Sequence, residues 1–459
     1  MKTPVQLEKA LQYSETRKES FLTELKNYLK IPSISTLSEH QKDIRRATEF
    51  LGQHLQNIGM ENVRAYSTKG NPVVYADWLH ARGKPTLIIY GHYDVQPADP
   101  VEDWKSPPFD PQIREGNIYA RGATDNKGQH LTHLKALESY LKGAGEIPVN
   151  VKVFIEGEEE TGGRSTKKFI AENRKLLQAD LAILSDGTKF SKNQPTIYIG
   201  MRGLVYLELR IRTAHVDAHS GIFGGRIDNA ADVLAYLLTN LKDRNGKILI
   251  PDFYGKVKDL SKEEWRSYTS LPTGGGELER ILGVKQIHTE KGYPEHISGT
   301  ARPTLDTHGL LSGFTGEGSK TIIPYEATAK VSMRLVPDQN PSEIVTAFKN
   351  YIGKLTPPTA DVEVVEHASA KPYVMKNKFG ISEMKQAQKE VWGKEPLLLR
   401  VGGVIGAVAD FHEYLGIDTI MADLGDPDDN LHAPNEKFSL ENFEKGIAMA
   451  IRFLNLIGR

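Results

Sequence analysis

The chain has 459 residues, too many for one hydrophobic core, so about two domains are expected. Hydrophobic residues make up 39% and charged ones 25%, a balance that excludes intrinsic disorder and a membrane-embedded body. Net charge is −1 and cysteine is absent, which leaves no bulk attraction to nucleic acid or an anionic membrane and rules out disulfides, thiolate nucleophiles and Cys-ligated zinc. The N-terminal stretch is charged without an apolar segment, and no apolar run approaches the ~18 residues of a membrane span, so a cytoplasmic location is expected.

In chain order, Leu7, Leu11, Phe21, Leu22, Leu25 and Leu29 predict an amphipathic helix from about 5 to 30, stopping at Ile31-Pro32. A second helix is expected from Ile44 to Ile58, ending at Gly59. TLIIY (Thr86 to Tyr90) is a continuous apolar run, as expected of a strand buried on both faces of a parallel sheet. Leu131, Leu134, Leu137 and Leu141 recur at helical spacing over 127–141. A strand over 149–156, a helix over 166–177 and a strand over 181–184 follow. This alternation argues for an α/β domain with a mostly parallel sheet.

From Gly203 the texture changes. YLELRIRT (206–213) alternates apolar and charged residues, the pattern of a strand with one wet face. A helix over 228–241 and a long Gly/Pro-punctuated stretch over 245–292 come next. Strands near 296–305 and 327–336, a helix over 342–355 and a strand over 362–367 complete a β-α-β-β-α-β order, that of a small ferredoxin-like domain. The α/β texture resumes near Asn377, with helices to Trp392 and over 406–415, the strand IDTIMA and a final helix from Leu440. The expected organisation is a first part (1–202), an inserted α+β domain (203–376) and a second part (377–459) of one α/β domain.

Six residues with metal chemistry sit near the C-terminal ends of predicted strands or in loops beyond them: His92 in GHYDVQP, Asp125 in RGATDNKG, Glu159 and Glu160 in EGEEETGG, Asp186 in ILSDG, and His432 in NLHAPNE. In open α/β sheets the crevice forms at those ends, so distant positions converge there. Three carboxylates and two imidazoles suit two divalent ions sharing one bridging carboxylate, and one further carboxylate suits a general base. Asp94, two residues after His92, is placed to accept from the imidazole's other nitrogen.

GHYDVQP, WKSPPFDP, ARGATDNKG, EGEEETGG, AHSGIFGG, SMRLVP and HAPNEK, in that order, resemble the M20 family of metallopeptidases, most of all its cytosolic dipeptidase and carnosinase-like branch. The resemblance implies two ions, zinc or manganese, bridged by Asp125. His92 and Asp186 would complete one site, Glu160 and His432 the other, with Glu159 as the base that takes a proton from a water shared by the ions. It further implies an inserted lid that dimerises. On that lid His219 would supply the oxyanion donor across the subunit boundary, Arg334 would clamp the substrate carboxylate, and Thr321 would be a further substrate position. A small peptide substrate and a homodimer are therefore expected.

The chain departs from the family pattern at two points. Asn126 stands where the family often has Asp, and Val404 where the dipeptidase branch usually carries a serine that contacts substrate. The latter keeps a second reading open, an amidase of N-acyl amino acids or of succinyl-diaminopimelate on the same scaffold. An inactive peptide-binding relative is a third, opposed by the presence of all six metal-chemistry residues. GFTGEGSKT (313–321) resembles a phosphate loop, but Ser319 separates glycine from lysine and an extended IIP follows where a helix is required.

Overall fold

The computed structural model describes residues 5–269, 271, 279 and 282–459. The chain forms two compact units, one of residues 1–199, 375–399 and 405–459, the other of residues 200–374 and 400–404. Part of the expected 245–292 stretch lies outside the described residues; within the rest, Lys262–Thr269 is helical.

In the first unit four parallel strands stand side by side in the order Asn150–Glu156, Thr86–His92, Leu181–Leu184 and Asp418–Met421. Their residues are almost all buried, which explains why each reads as an unbroken apolar run. Antiparallel strands extend this core: Val73–Trp78 and then Glu61–Tyr66 beside Asn150–Glu156, and Thr196–Met201 through the pairing of Tyr198 with Met421. The sequence pattern missed these three. Val73–Trp78 is buried throughout and carries Asp77, whose carboxylate accepts from Tyr75 Oη and Asn62 Nδ2, so no simple alternation marks it.

The helix Lys127–Glu138 is buried along its whole length, including Lys127, His130, His133, Lys135 and Glu138. The leucine stripe is thus one apolar face of a helix surrounded on all sides, and at Glu138 the helix passes into a π-turn, Ser139–Ala144. The single N-terminal helix expected over 5–30 is two, Val5–Thr16 and Lys18–Leu29, broken at Arg17. Both halves keep the apolar face, which is why periodicity alone does not reveal the break.

The second unit holds a four-stranded antiparallel sheet in the order Thr304–Ser312, Glu326–Leu335, Gly203–Arg212, Asp361–Ala370. Helices Ala230–Thr239 and Pro341–Leu355 give the β-α-β-β-α-β sequence, and each starts with an Asn side chain, Asn229 or Asn340, accepting from an amide of the first turn. Val205, Leu207, Leu209 and Ile211 point into a core of their own with Leu237, Val331, Met333 and Phe348. The strand expected over 296–305 is a correction. Pro294 starts a short helix, Glu295–Thr300, and the strand begins after Pro303, at Thr304. Proline fixes φ at the first helical turn and favours extended backbone before it, so the Pro294 and Pro303 positions outweigh the apolar residues between them. Residues 400–404 join this unit, held by a hydrogen bond from Arg202 Nε to the Gly402 carbonyl, 3.1 Å. Among the described residues, no helix is long and apolar enough to cross a membrane.

Candidate metal centre

The four adjacent parallel strands of the first unit deliver the acidic and imidazole residues to one edge. His92 ends Thr86–His92 and stands in register with Glu156. Glu159 and Glu160 form a 3-10 turn three residues past that neighbouring strand, and Asp186 follows Leu181–Leu184 by two residues. Asp125 precedes the buried helix Lys127–Glu138. His432 lies in the long loop after Asp418–Met421, at φ +60°, a left-handed conformation uncommon for a residue with a side chain.

Asp125 lies between the two imidazoles. Its Oδ1 is 3.1 Å from His92 Nε2, and its Oδ2 is 2.7 Å from His432 Nε2. Asp186 Oδ1 joins the first pair, 3.4 Å from His92 Nε2, and Glu160 Oε2 the second, 3.4 Å from His432 Nε2. Ligand atoms of His92, Asp125 and Glu160 lie within 4.8 Å of one another. His92 Nε2 and Glu160 Oε1 are buried and find no hydrogen-bond partner among the described residues. Buried polar atoms are nearly always paired, so two orphans facing one small space fit cations.

The electrostatics agree. Burial, then the neighbouring acids, pushes Glu160 up to about 8, and burial likewise raises Glu159 and Asp186 above the usual carboxylate range. Burial also raises Asp125, but His432 and His92 together hold it well below its ordinary value. Asp125 in turn raises His432 to about 9, against the effect of burial. The protein's own cations do not balance these acids, and a divalent ion would. The donor set therefore fits two ions that share a carboxylate.

Asp94 is buried beside His92, but the hydrogen bond at the ring's Nδ1 runs to the Asp94 main-chain carbonyl, 3.0 Å, with the carboxylate Oδ1 at 3.3 Å. The Asp94 carboxylate instead accepts from the Glu160 amide through Oδ2, 3.2 Å. Several positioning groups escaped the sequence reading. Gln96 Nε2 donates to Glu160 Oε2, 2.8 Å. Asn126 Oδ1 accepts from the His92 amide, and its Nδ2 donates to the Ser185 carbonyl, 2.6 Å, so the carboxamide ties three turns of the site together. A carboxylate there lacks that donor. Asp423 Oδ1 accepts from the Asp186 amide, 3.1 Å, across Gly187, where a Cβ would come 2.4 Å from Asp423 Oδ2. Gln96 lies inside GHYDVQP and Asn126 inside ARGATDNKG, so position within a motif was the available signal.

His219, Thr321 and Arg334 belong to the second unit. His219 is exposed, pairs with Ile322, and accepts from the Gly221 amide through Nδ1, 3.1 Å. The Ser220 amide donates to the Thr321 carbonyl, so these two segments are neighbours. Arg334 stands on Glu326–Leu335 between Leu204 and Thr304. Burial, followed by Arg334 itself, lowers the Arg202 guanidinium to about 10, which places a second, unpredicted Arg beside it.

The family model described as peptidase family M20/M25/M40 matches residues 88–456. The chain belongs to that family. This chain is a metal-dependent peptidase of that family. It is similar to the Cys-Gly metallodipeptidase of Candida albicans, 29% identical over 97% of this chain and 96% of that one. Human carnosine dipeptidase 1 superposes with a TM-score of 0.86 at 28% identity, covering 99% of both chains. An M20 family metallo-carboxypeptidase from Sulfolobus solfataricus superposes equally well, TM-score 0.86, at 34% identity over 95% of this chain and 99% of that one.

Proposed function

We propose that the chain is a cytoplasmic, homodimeric dipeptidase that holds two zinc or manganese ions. Asp125 would be shared between them, with His92 and Asp186 holding one ion and Glu160 and His432 the other. The observation that carries this reading is the Asp125 carboxylate, each oxygen of which faces a different imidazole. When bound, the ions would supply Lewis acidity, making an attacking water more acidic and the scissile carbonyl more electrophilic. Glu159 would take a proton from the attacking water and return it to the leaving amine. Asp94 holds His92 and the Glu160 turn in place.

His219 donates to the developing oxyanion from the partner subunit, Arg334 binds the substrate carboxylate with a guanidinium fork, and Thr321 lines the same subsite. Support for a dimer comes from apolar side chains left exposed on the second unit: Val216, Ile222, Phe223, Leu310, Leu311 and Phe314. If His219 and Arg334 of one active site come from different chains, mixing His219→Ala with Arg334→Ala protein restores up to about a quarter of wild-type activity by random pairing. Confirmed hybrids without activity would place His219 in its own chain's site or outside catalysis.

The 34% identity with a carboxypeptidase favours a second reading, release of the C-terminal residue from longer peptides. The deciding experiment is hydrolysis of dipeptides, longer peptides and N-acyl amino acids after reconstitution with zinc and with manganese. The proposal expects dipeptides to be turned over fastest, and preference for either other class overturns it.

A further inference from the structure

The bridging carboxylate must be held so that its two oxygens diverge toward two imidazoles, and the backbone that holds it is cradled by one acid. Glu436, four residues after His432, is fully buried. Its Oε2 accepts from the Gly122 amide at 2.9 Å and from Arg121 Nη1 at 2.8 Å, and its Oε1 accepts from the amides of Thr124 at 2.9 Å and Asp125 at 3.0 Å. The main chain adds a further link, from the Ala120 amide to the Glu436 carbonyl, 3.1 Å. Gly122 turns through φ +83°, which lets its own amide and those of Thr124 and Asp125 face the same carboxylate.

Four donors on one carboxylate form a nest of the kind that ordinarily binds a free anion, with the anion here built into the chain. Its guanidinium partner is fixed as well. Arg121 is 1% exposed, its Nη2 donates to the Pro97 carbonyl at 3.1 Å, and its Cζ lies 5.4 Å from the centre of the Trp104 ring. Thr124 Oγ1 reaches back to the same segment, donating to Asp429 Oδ2 and standing 2.6 Å from the Lys437 carbonyl. A single stretch, 429–437, therefore presents His432 to one oxygen of Asp125 and holds the Asp125 backbone from beneath.

We infer that Glu436 is the positioning residue of the bridging carboxylate, and that it builds the 120–125 loop into its ion-holding shape before any ion arrives. The inference rests on the proposed role of Asp125 as bridge. Outer partners of this kind typically change metal affinity by 10–100-fold. Because Asp125 serves both sites, removing the cradle weakens both ions together, whereas loss of a ligand to one ion would weaken that one more.

The test titrates metal-free wild type, Glu436→Gln and Asp125→Ala with Zn²⁺ against a competing chelator, with thermal unfolding of each metal-free protein alongside. Glutamine keeps the shape but turns one acceptor into a donor facing amides or a guanidinium. Expected is a cooperatively folding Glu436→Gln protein whose two affinities both fall by at least 10-fold. Wild-type affinities in that variant overturn the inference while leaving the ligand assignment intact. An Asp125→Ala protein that still binds both ions overturns the two together. Should Glu436→Gln fail to fold, amide exchange of the wild type decides. Slow exchange at Gly122, Thr124 and Asp125 in the metal-free protein supports a prebuilt loop, and exchange that slows only on Zn²⁺ addition refutes it.

Discussion

Around Lys135 the first unit gathers Glu24, His54 and Glu138; around Asp125 it gathers the buried His92, Glu160 and Asp186 with the exposed His432. Each cluster gathers imidazole and carboxylate within metal-binding distance, yet they differ in where the positive charge comes from. In the first, the Lys135 ammonium bonds to both Glu24 and Glu138 (2.8 Å to Glu138 Oε2), and Tyr13 Oη adds a hydrogen bond to Glu138 at 3.2 Å. Glu24 is correspondingly held down to about 2, burial opposing but His54 and Lys135 prevailing. In the second, no lysine enters among the described residues, and three acids are raised. A cluster that contains its own cation is structural; one whose acids outweigh its cations fits metal. Counting ligand types does not separate the two, and charge balance does.

The largest effect that can break this contrast is removal of the bridge. Asp125→Ala should lose both ions and reduce turnover to background, as should chelation of the wild type. Metal analysis of that variant checks the comparison directly. Close to zero ions per chain is expected, and an ion retained at Glu24, His54 and Glu138 would show that Lys135 does not fill its cluster.

Next in size is the loss of the base. Glu159→Gln should keep both ions and lower turnover by roughly 10²–10⁴-fold, the usual contribution of a positioned proton carrier. A variant that instead empties one site, while Glu160→Gln does not, would exchange the two roles.

The contrast also shows what was readable in the sequence. The parallel strands were legible because burial on both faces makes TLIIY and LAIL unbroken apolar runs, and the ferredoxin-like order because YLELRIRT alternates. That His92, Asp125, Glu160, Asp186 and His432 would converge was legible because loops at the strand ends meet at one edge of a parallel sheet. Illegible were groups whose role depends on a partner distant in the chain. Nothing near Glu436 announces the amides of 122–125, more than 300 residues earlier, and nothing near Lys135 announces Glu24, which lies 111 residues before it. Corrections at Arg17 and Pro294 have a local cause, since apolar spacing continues through a break that only backbone geometry reveals.

A smaller effect tests the structural cluster. Lys135→Met leaves Glu24 and Glu138 facing each other without their cation, and breaking a buried pair this way typically costs about 3–5 kcal/mol. The metal-free variant should unfold at a lower temperature while still taking up two ions per chain when they are added. Loss of an ion in Lys135→Met would link the two clusters and erase the distinction.

The smallest effect is the titration of Glu24. Its folded-state pKa of about 2 lies below the ordinary 4.5, so the folded protein holds the charged form more firmly than the unfolded chain does. A depressed carboxylate contributes stability that is present above the unfolded pKa and is lost as pH falls through the folded one. The window is therefore about pH 4.5 down to about 2. Glu24→Gln keeps the size and the hydrogen bonding of the side chain but has no charge to lose. Unfolding temperatures of metal-free wild type and Glu24→Gln, compared at pH 7, 4.5, 3 and 2, should differ by a constant amount down to about 4.5. They should then converge toward pH 2, with wild type the more stable at the upper end. Metal-free protein is needed because ions at the other cluster compete with protons in the same range. A gap that ignores pH would mean that Glu24 acts by packing rather than by charge, and that Lys135 is balanced by Glu138 alone.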